Sequence, residues 1–231
     1  MEVINIRYIF RFPDDRQETF DLHLDAQTLD LLGDAPDELP SWTNLPFHQC
    51  PNCQLTIQTH LNCPVAVHLV QLISACKHVL SYDVLHVDII SPERVVSRTA
   101  PAQKGISSLM GLIMATSGCP HMSFLKPMAR FHLPLATAKE TVYRATSMYL
   151  LAQYFIRKQG KNADLELEGL AKIYHNIELI NKAMAERLRA ITDKDTAVNA
   201  LILLDIFAKT LPFAIEESLE EVRHLFTQYL R

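Results

Sequence analysis

The sequence predicts an α+β fold, in which a small antiparallel sheet of β-β-α-β-β order is followed by a C-terminal bundle of about five helices. Two observations predict this division. Apolar residues alternate with polar ones in the strand-like parts of positions 1–100, whereas they recur at helical spacing in positions 101–231. The charge changes as well: residues 1–100 carry 6 Lys and Arg against 13 Asp and Glu, and residues 101–231 carry 16 against 13. We therefore expect an α+β region at 1–100 and a helical bundle at 101–231.

The composition limits the class of protein. The 231 residues are 48% hydrophobic, which is enough to bury a sizeable core. The net charge of −4 leaves no basic surplus for a phosphate backbone, so we expect no nucleic-acid partner. The first ten residues, MEVINIRYIF, lack the basic start and the long apolar run of a signal peptide. Residues 197–215 come nearest to the length of a membrane span, but Asp205, Lys209 and Pro212 interrupt them. These features predict a cytoplasmic protein without a membrane partner.

Four strands and one helix are predicted before residue 100. Residues 3–12 and 18–25 read as two strands of a hairpin, with a turn-forming Pro-Asp-Asp sequence between them. Residues 26–62 are rich in Pro, Asp and Asn and have weak periodicity, so we expect a long irregular segment that is either functional or held in place by something. The remaining elements are a helix from Cys63-Pro64 to about Leu80, a strand at 83–90 and a partner strand at 94–98.

Five helices are predicted after residue 100, from apolar residues that recur three or four positions apart. They are expected at 101–116, from Thr137 to about Gly160, from Asp164 to Ile191, at 192–209 and at 213–230. Thr137 and Glu140 form a capping box, which marks the start of the second of these helices.

Three cysteines and two histidines lie within residues 47–67, FHQCPNCQLTIQTHLNCPVAV. Cys50 and Cys53 form a C-x-x-C knuckle, in which both thiolates can turn toward one ion, and Cys63 follows them. A tetrahedral structural zinc site needs four ligands of this kind. We predict Cys119 as the fourth, because it lies in a turn-rich stretch after a helix end. The alternative ligands are His48, His60 and His121. Such a zinc ion would clamp the irregular segment and tie the two regions together.

Other chemistries stay open for these cysteines. Cys50, Cys63 and Cys119 each precede proline, as a ligand of ferredoxin-type iron–sulfur runs does, although the spacing differs from such runs. Redox thiols are a further alternative, because Cys63 lies at a predicted helix N-terminus, where the dipole lowers the pKa of a thiol. Cys119 could also be a nucleophile that an imidazole such as that of His132 activates. We interpret Cys76, in the middle of its predicted helix, as a small apolar residue.

The stretch KPMARFHLP combines three basic residues with two prolines on a predicted loop. Lys126, Arg130 and His132 could bind a small anion or a carboxylate there. A solvated connection that its prolines stiffen is the simpler interpretation. Arg144, on the following helix, could join a polar pocket or could pair with Glu140 four residues earlier.

Four short runs of the sequence carry a resemblance to a known family. They are residues 47–53 (FHQCPNC), 63–66 (CPVA), 117–120 (SGCP) and 148–154 (MYLLAQY). Together they resemble a bacterial family of conserved hypothetical proteins, and the resemblance covers most of the chain. It implies a bacterial cytoplasmic origin. Because that family has no assigned activity, the resemblance implies no function and no ligand.

The residues support two hypotheses of function. In the first, the protein is a zinc-stabilised binding or regulatory module whose helical half meets an unknown protein partner or a second copy of the chain. In the second, it is an iron–sulfur or thiol-dependent redox protein or enzyme that uses Cys119. Stoichiometric zinc without colour would favour the first hypothesis. Visible absorbance, or one thiol that alkylates far faster than the others, would favour the second.

Overall fold

A five-stranded antiparallel sheet forms most of the first hundred residues. The structure is a computed structural model that describes residues 2–12, 14–33, 38–191 and 196–231. The strands are β1 (Val3–Arg11), β2 (Gln17–Asp25), β3 (Leu31–Leu32), β4 (Val84–Ile90) and β5 (Val95–Pro101). Their order in the sheet is β3-β2-β1-β4-β5, and every neighbouring pair is antiparallel. Together with the helices that follow, the sheet confirms the predicted α+β class.

The strand β3 is the one element of the sheet that the sequence did not predict. It lies in the segment 26–62, which was expected to be irregular, and it has only two residues, which pair with His23 and Leu24 of β2. A single turn of 3-10 helix at Ser41–Thr43 is the other regular piece of this segment within the described residues. Such short elements carry too few residues to show a hydrophobic period, which is why pattern reasoning passes over them.

The buried apolar residues of β1, β2 and β4 lie on one face of the sheet, because side chains alternate along a strand. In β1, every second residue from Ile4 to Phe10 is buried. Tyr8 is opposite Phe20 of β2 on one side and Ile89 of β4 on the other. The ring of Tyr8 stacks on that of Phe10, which meets Phe20 edge to face, and these rings form part of the surface on which the first two helices lie.

Two helices, α1 (Pro64–Ala75) and α2 (Ala102–Thr116), cover the buried face of the sheet. Leu72 of α1 and Ile106 of α2 meet Phe10 and Phe20 there, around one small cavity. As predicted, α1 begins with Pro64 as its first residue. It ends at Ala75 and not at Leu80, because the chain tightens into a 3-10 turn over Cys76–His78 before β4 begins.

Four more helices complete the chain. They are α3 (Lys126–Arg130), α4 (Ala138–Lys158), α5 (Glu168–Arg189) and α6 (Thr196–Val222). The predicted capping box is present at the start of α4, where Thr137 and Glu140 bond to each other's backbone amide. One cluster of buried apolar residues extends from the sheet through α1 and α2 into α4, α5 and α6.

Two helix predictions are corrected. The residues of α3 were expected to form a loop, but Pro127 stands in the first turn of this short helix, where a missing N–H is tolerated. The two helices expected at 192–209 and 213–230 are one continuous helix, α6, as far as Val222. A proline inside a helix removes one backbone hydrogen bond, but the helix passes through position 212 without ending there. The predicted start at Thr192 lies outside the described residues.

Among the residues that the structure describes, none of the helices is both long enough and apolar enough to cross a lipid bilayer.

Candidate functional site

Four cysteines that were predicted as metal ligands come from three separate segments. Cys50 and Cys53 bracket a tight turn in which the Cys53 amide donates to the carbonyl oxygen of Cys50 over 3.0 Å. Cys63 is the N-cap of α1, is buried, and donates its amide to the carbonyl oxygen of Thr43 over 2.8 Å. Cys119 follows α2 after Gly118, whose φ of +86° lets the chain turn back sharply.

Side-chain contacts bring these segments together. The Nε2 atom of His121 lies 2.7 Å from the carbonyl oxygen of Asn52, which joins the loop of Cys119 to the turn between the first two cysteines. The side-chain amide of Asn52 in turn donates to the Oδ1 atom of Asn176 in α5 over 2.9 Å. The knuckle is therefore fastened both to the end of α2 and to the middle of α5.

The thiol of Cys50 interacts electrostatically with the other three predicted thiols. Burial first, and then the thiols of Cys63, Cys53 and Cys119, raise the pKa of Cys50 to about 12. Burial also raises the pKa of Cys119, although the backbone amides of Met122 and His121 donate to its sulfur and act in the opposite direction. A raised thiol pKa opposes the reactive-thiol hypothesis, because the thiolate is the nucleophilic form.

The thiols do not yet form a coordination shell. Within the described part of the chain, no three His, Cys, Asp or Glu side chains stand in an arrangement that could hold a metal ion. The structure thus gathers the four predicted residues into one neighbourhood, and coordination requires their side chains to turn toward a common point.

The histidines that were considered as alternative ligands have different surroundings. His48 is exposed, and its Nδ1 atom lies 3.7 Å from a carboxylate oxygen of Glu186. His60 is exposed as well. His121 lies beside the cysteines, with its Nε2 atom bonded to Asn52. The fifth cysteine, Cys76, packs in the apolar core of the sheet region, as predicted.

Sequence reasoning missed Arg187, which lies beside the cysteines. Its side chain is 2% exposed, and it donates to the carbonyl oxygens of Trp42, Asn44 and Leu45, with an Nη1–oxygen distance of 2.9 Å at Asn44. It forms no ion pair with a carboxylate of the described residues. Burial lowers its pKa, and the thiols of Cys63, Cys50 and Cys53 act in the opposite direction. A signal was available, because a charged residue interrupts the apolar face of α5 between Met184 and Leu188.

A comparison with family models covers nearly the whole chain, including the four cysteines and Arg187. The family model of a domain of unknown function, DUF6901, matches residues 6–227. The chain belongs to this family. The match confirms the expected membership of a family without an assigned activity. No curated protein and no solved structure matches the chain.

The three basic residues predicted to bind an anion in this DUF6901 chain reach different partners. Lys126 donates to a carboxylate oxygen of Asp30 over 2.5 Å, and Arg130 donates to Glu93 over 3.1 Å. His132 accepts or donates a hydrogen bond of 2.5 Å with the hydroxyl of Tyr8. An anion at this stretch would therefore have to displace two carboxylates.

A cavity of about 210 Å³ lies between α2, the segment around α3, α4, α5 and α6. Its wall is mainly apolar, and the ring of His132 forms part of it. Burial, and then the positive charge of Arg144, lowers the pKa of His132 to about 3. His132 is therefore neutral near pH 7, and it meets Tyr8 at the point where the sheet adjoins the helical region.

Helix α4 of this DUF6901 chain has two apolar faces. One face is buried and includes Val142, Ala145 and Tyr149. The other is exposed and consists of Tyr143, Leu150, Leu151, Tyr154 and Phe155. Association with a protein partner or with a second copy stays a prediction, and these exposed side chains are the surface on which it would be tested.

Proposed function

We propose that the protein is a zinc-stabilised binding or regulatory module in which Cys50, Cys53, Cys63 and Cys119 hold one structural zinc ion. The observation that carries this proposal is the meeting of the three segments that bear the four thiols, since His121 bonds to Asn52 between Cys50 and Cys53. Burial first, and then the other three thiols, raise the pKa of Cys50. Four thiolates satisfy the tetrahedral preference of zinc and leave no open position for a substrate, so the ion would be structural.

The charge around the cysteines supports the proposal. Four thiolates and one Zn²⁺ carry two net negative charges, which a buried site must offset. Arg187 supplies a buried positive charge that no carboxylate of the described residues neutralises, and it lies close enough to three of the thiols to interact with them. The backbone amides of His121 and Met122 add two donors toward the sulfur of Cys119. These groups would act on the sulfur ligands as outer-shell partners.

A zinc ion at this place would stabilise a segment that has little regular structure. The chain between β2 and α1 contains only β3 and one 3-10 turn among the described residues. Binding would fasten the end of that segment to the start of α1 and to the loop after α2. Because such a site does not exist in the unfolded chain, the binding free energy would contribute directly to folding.

The decisive experiment is zinc analysis of the full chain together with a matched pair of variants, Cys63→Ser and Cys76→Ser. Both cysteines are buried in or next to α1, but only Cys63 belongs to the proposed site. Serine is a good N-cap residue, so Cys63→Ser keeps the helix start intact. We expect one zinc per chain, no visible absorbance, and a lowered melting temperature with a strong chelator.

The variants should differ. Cys63→Ser should lose the zinc and become insensitive to the chelator, whereas Cys76→Ser should keep both properties. Purified protein that is metal-free, colourless and stably folded would refute the proposal. An absorbance band in the visible region of anaerobically purified protein would instead favour an iron–sulfur cluster.

A further inference from the structure

The cavity between α2, α4, α5 and α6 contains a buried amide with nothing to bond to. Asn181 of α5 lines this cavity and is 1% exposed. Neither its Oδ1 atom nor its Nδ2 atom has a hydrogen-bond partner among the described residues. Buried amides are normally satisfied, because an unpaired donor or acceptor lowers the stability of the folded state. The unpaired Oδ1 and Nδ2 atoms of Asn181 can therefore accept one hydrogen bond and donate another to the same ligand.

A second polar group of the cavity is positively charged. Arg144 of α4 lies in the wall and is partly buried. Its Nη2 atom donates to the carbonyl oxygens of Met128 and Phe131, each over 2.8 Å. A guanidinium has five N–H donors, so three of them stay available. Burial lowers the pKa of Arg144, and the charge of Glu140 acts in the opposite direction. The two side chains form no ion pair, and the Glu140 carboxylate is bonded to Thr137.

The other residues of the wall indicate which charge and polarity a ligand of this cavity would have. No Asp or Glu side chain is part of the lining among the described residues, and a second cation, Lys104, is exposed at the rim. The lining residues of α2 run from Lys104 to Ala115, a length of about 16 Å at the rise of an α-helix. The cavity is therefore elongated and apolar, with a cation and an unpaired amide in its wall.

We propose that this cavity binds a small organic acid whose carboxylate pairs with Arg144 and whose apolar body ends in a hydroxyl or carboxamide that bonds to Asn181. On α5, Tyr174 and Asn181 line the same wall two turns apart, about 10 Å along the axis, and Arg144 lies at the Tyr174 end because both side chains bond to Met128. The acid and the second polar group would thus lie at opposite ends of the apolar body. The volume exceeds the roughly 150 Å³ of an apolar cavity that binds benzene, so a chain of medium length fits.

None of the four cysteines lines the cavity, so zinc would take no direct part in binding the ligand. The proposed role of the cavity is to bind a ligand, because Arg144 and Asn181 can bind and orient it. It extends the proposed zinc-stabilised module by naming the class of molecule that the helical region binds.

Calorimetric titration of the full chain with three probes of equal length tests the proposal. The probes are ω-hydroxyoctanoate, octanoate and octanol. We expect the hydroxy acid to bind about tenfold more tightly than octanoate, because one hydrogen bond to a buried group is worth about that factor. Octanol should bind more weakly than octanoate, because it has no charge for Arg144.

Two variants separate the roles of the polar groups. Arg144→Gln should weaken both acids at least about tenfold and leave octanol unchanged, since charge-assisted hydrogen bonds to a guanidinium are the strong ones. Asn181→Leu keeps the branched shape of the side chain without its polar atoms, should fold as well as the wild type, and should remove the preference for the hydroxy acid. Because Arg144 also holds the end of α3, Asn181→Leu decides the proposal if Arg144→Gln fails to fold.

Two results would overturn the proposal. One is the absence of heat and of chemical-shift change with all three probes at millimolar concentration. The other is a hydroxy-acid preference that is equal in the wild type and in Asn181→Leu. Neither result bears on the zinc proposal, which is read out by metal content.

Discussion

The Nε2 atom of His121 lies 2.7 Å from the carbonyl oxygen of Asn52. A carbonyl oxygen only accepts, so Nε2 must carry the proton and His121 must be the donor. Asn52 stands between Cys50 and Cys53, and His121 stands two residues after Cys119. This one bond therefore connects the two segments whose cysteines are most distant in the sequence, and it holds them next to each other before any metal binds.

Replacing His121 with alanine should weaken zinc binding. Loss of the bond to Asn52 leaves the loop of Cys119 free to move, and the loss of an outer-shell partner typically lowers metal affinity by about 10- to 100-fold. His121→Gln keeps an N–H donor and should lose less. Competition with a chromogenic chelator measures the affinity. His60→Ala, at an exposed position, is the control, and equal affinities for His121→Ala and His60→Ala would contradict the prediction.

Replacing Arg187 with methionine should destabilise the fold. The change leaves the carbonyl oxygens of Trp42, Asn44 and Leu45 without their donor. An unsatisfied buried group costs about 1–3 kcal/mol, but Asn44 is exposed and the Leu45 contact is long at 3.5 Å, so we expect a loss of roughly 2–4 kcal/mol. Urea denaturation measures the free energy of unfolding. Arg189→Met, at an exposed position of the same helix, should change it little. Equal values for the two variants would show that these contacts contribute nothing.

The stability should depend on pH through His132. Its pKa is lowered to about 3 in the folded protein, against an ordinary value of 6.5, so the unfolded chain binds the proton more readily. The full contribution is present above about pH 6.5, and stability falls by up to about 1.4 kcal/mol for each pH unit below it, until the folded pKa is reached.

A variant without the titrating group isolates this effect. In His132→Gln, a side-chain oxygen can still accept from the hydroxyl of Tyr8, but it takes up no proton. Urea denaturation between about pH 5 and pH 7.5 should give a steeper decline for the wild type than for His132→Gln. Carboxylates with lowered pKa values, such as Asp164, titrate in both proteins and cancel in the difference. Parallel curves would show that His132 is not buried in its neutral form.

Two glycines of α2 should respond differently to alanine. At Gly105, a Cβ atom would lie 2.9 Å from Cε1 of Phe10 and 3.1 Å from Cγ2 of Val87, so Gly105→Ala should cost about 1–3 kcal/mol by overpacking. At Gly111 the nearest atom is Cδ2 of Leu204 at 3.4 Å, so Gly111→Ala should gain up to about 1 kcal/mol of helix propensity. Thermal unfolding of both variants measures the difference. A stabilised Gly105→Ala protein would mean that α2 does not lie against the sheet as closely as described.

Much of the fold follows from local patterns. The hairpin of β1 and β2 comes from alternation around a turn, and the starts of α1 and α4 come from Pro64 and from the capping box of Thr137 and Glu140. These signals act within a few residues, so they can be recognised without knowledge of the rest of the chain. The continuous course of α6 through position 212 could not be predicted this way, because the local preference of a proline is to end or bend a helix.

The residues of the candidate sites also divide into those that local sequence patterns reveal and those that only the folded structure brings together. The sequence by itself determined which residues had ligand chemistry, since C-x-x-C and a cysteine before α1 are visible as spacing. Only the tertiary structure decided that Cys119 and Arg187 lie beside them, and that Asn181 and Arg144 share a cavity wall. The physical reason is that these contacts join segments far apart in the chain, and their position depends on how the helices pack and not on any local period.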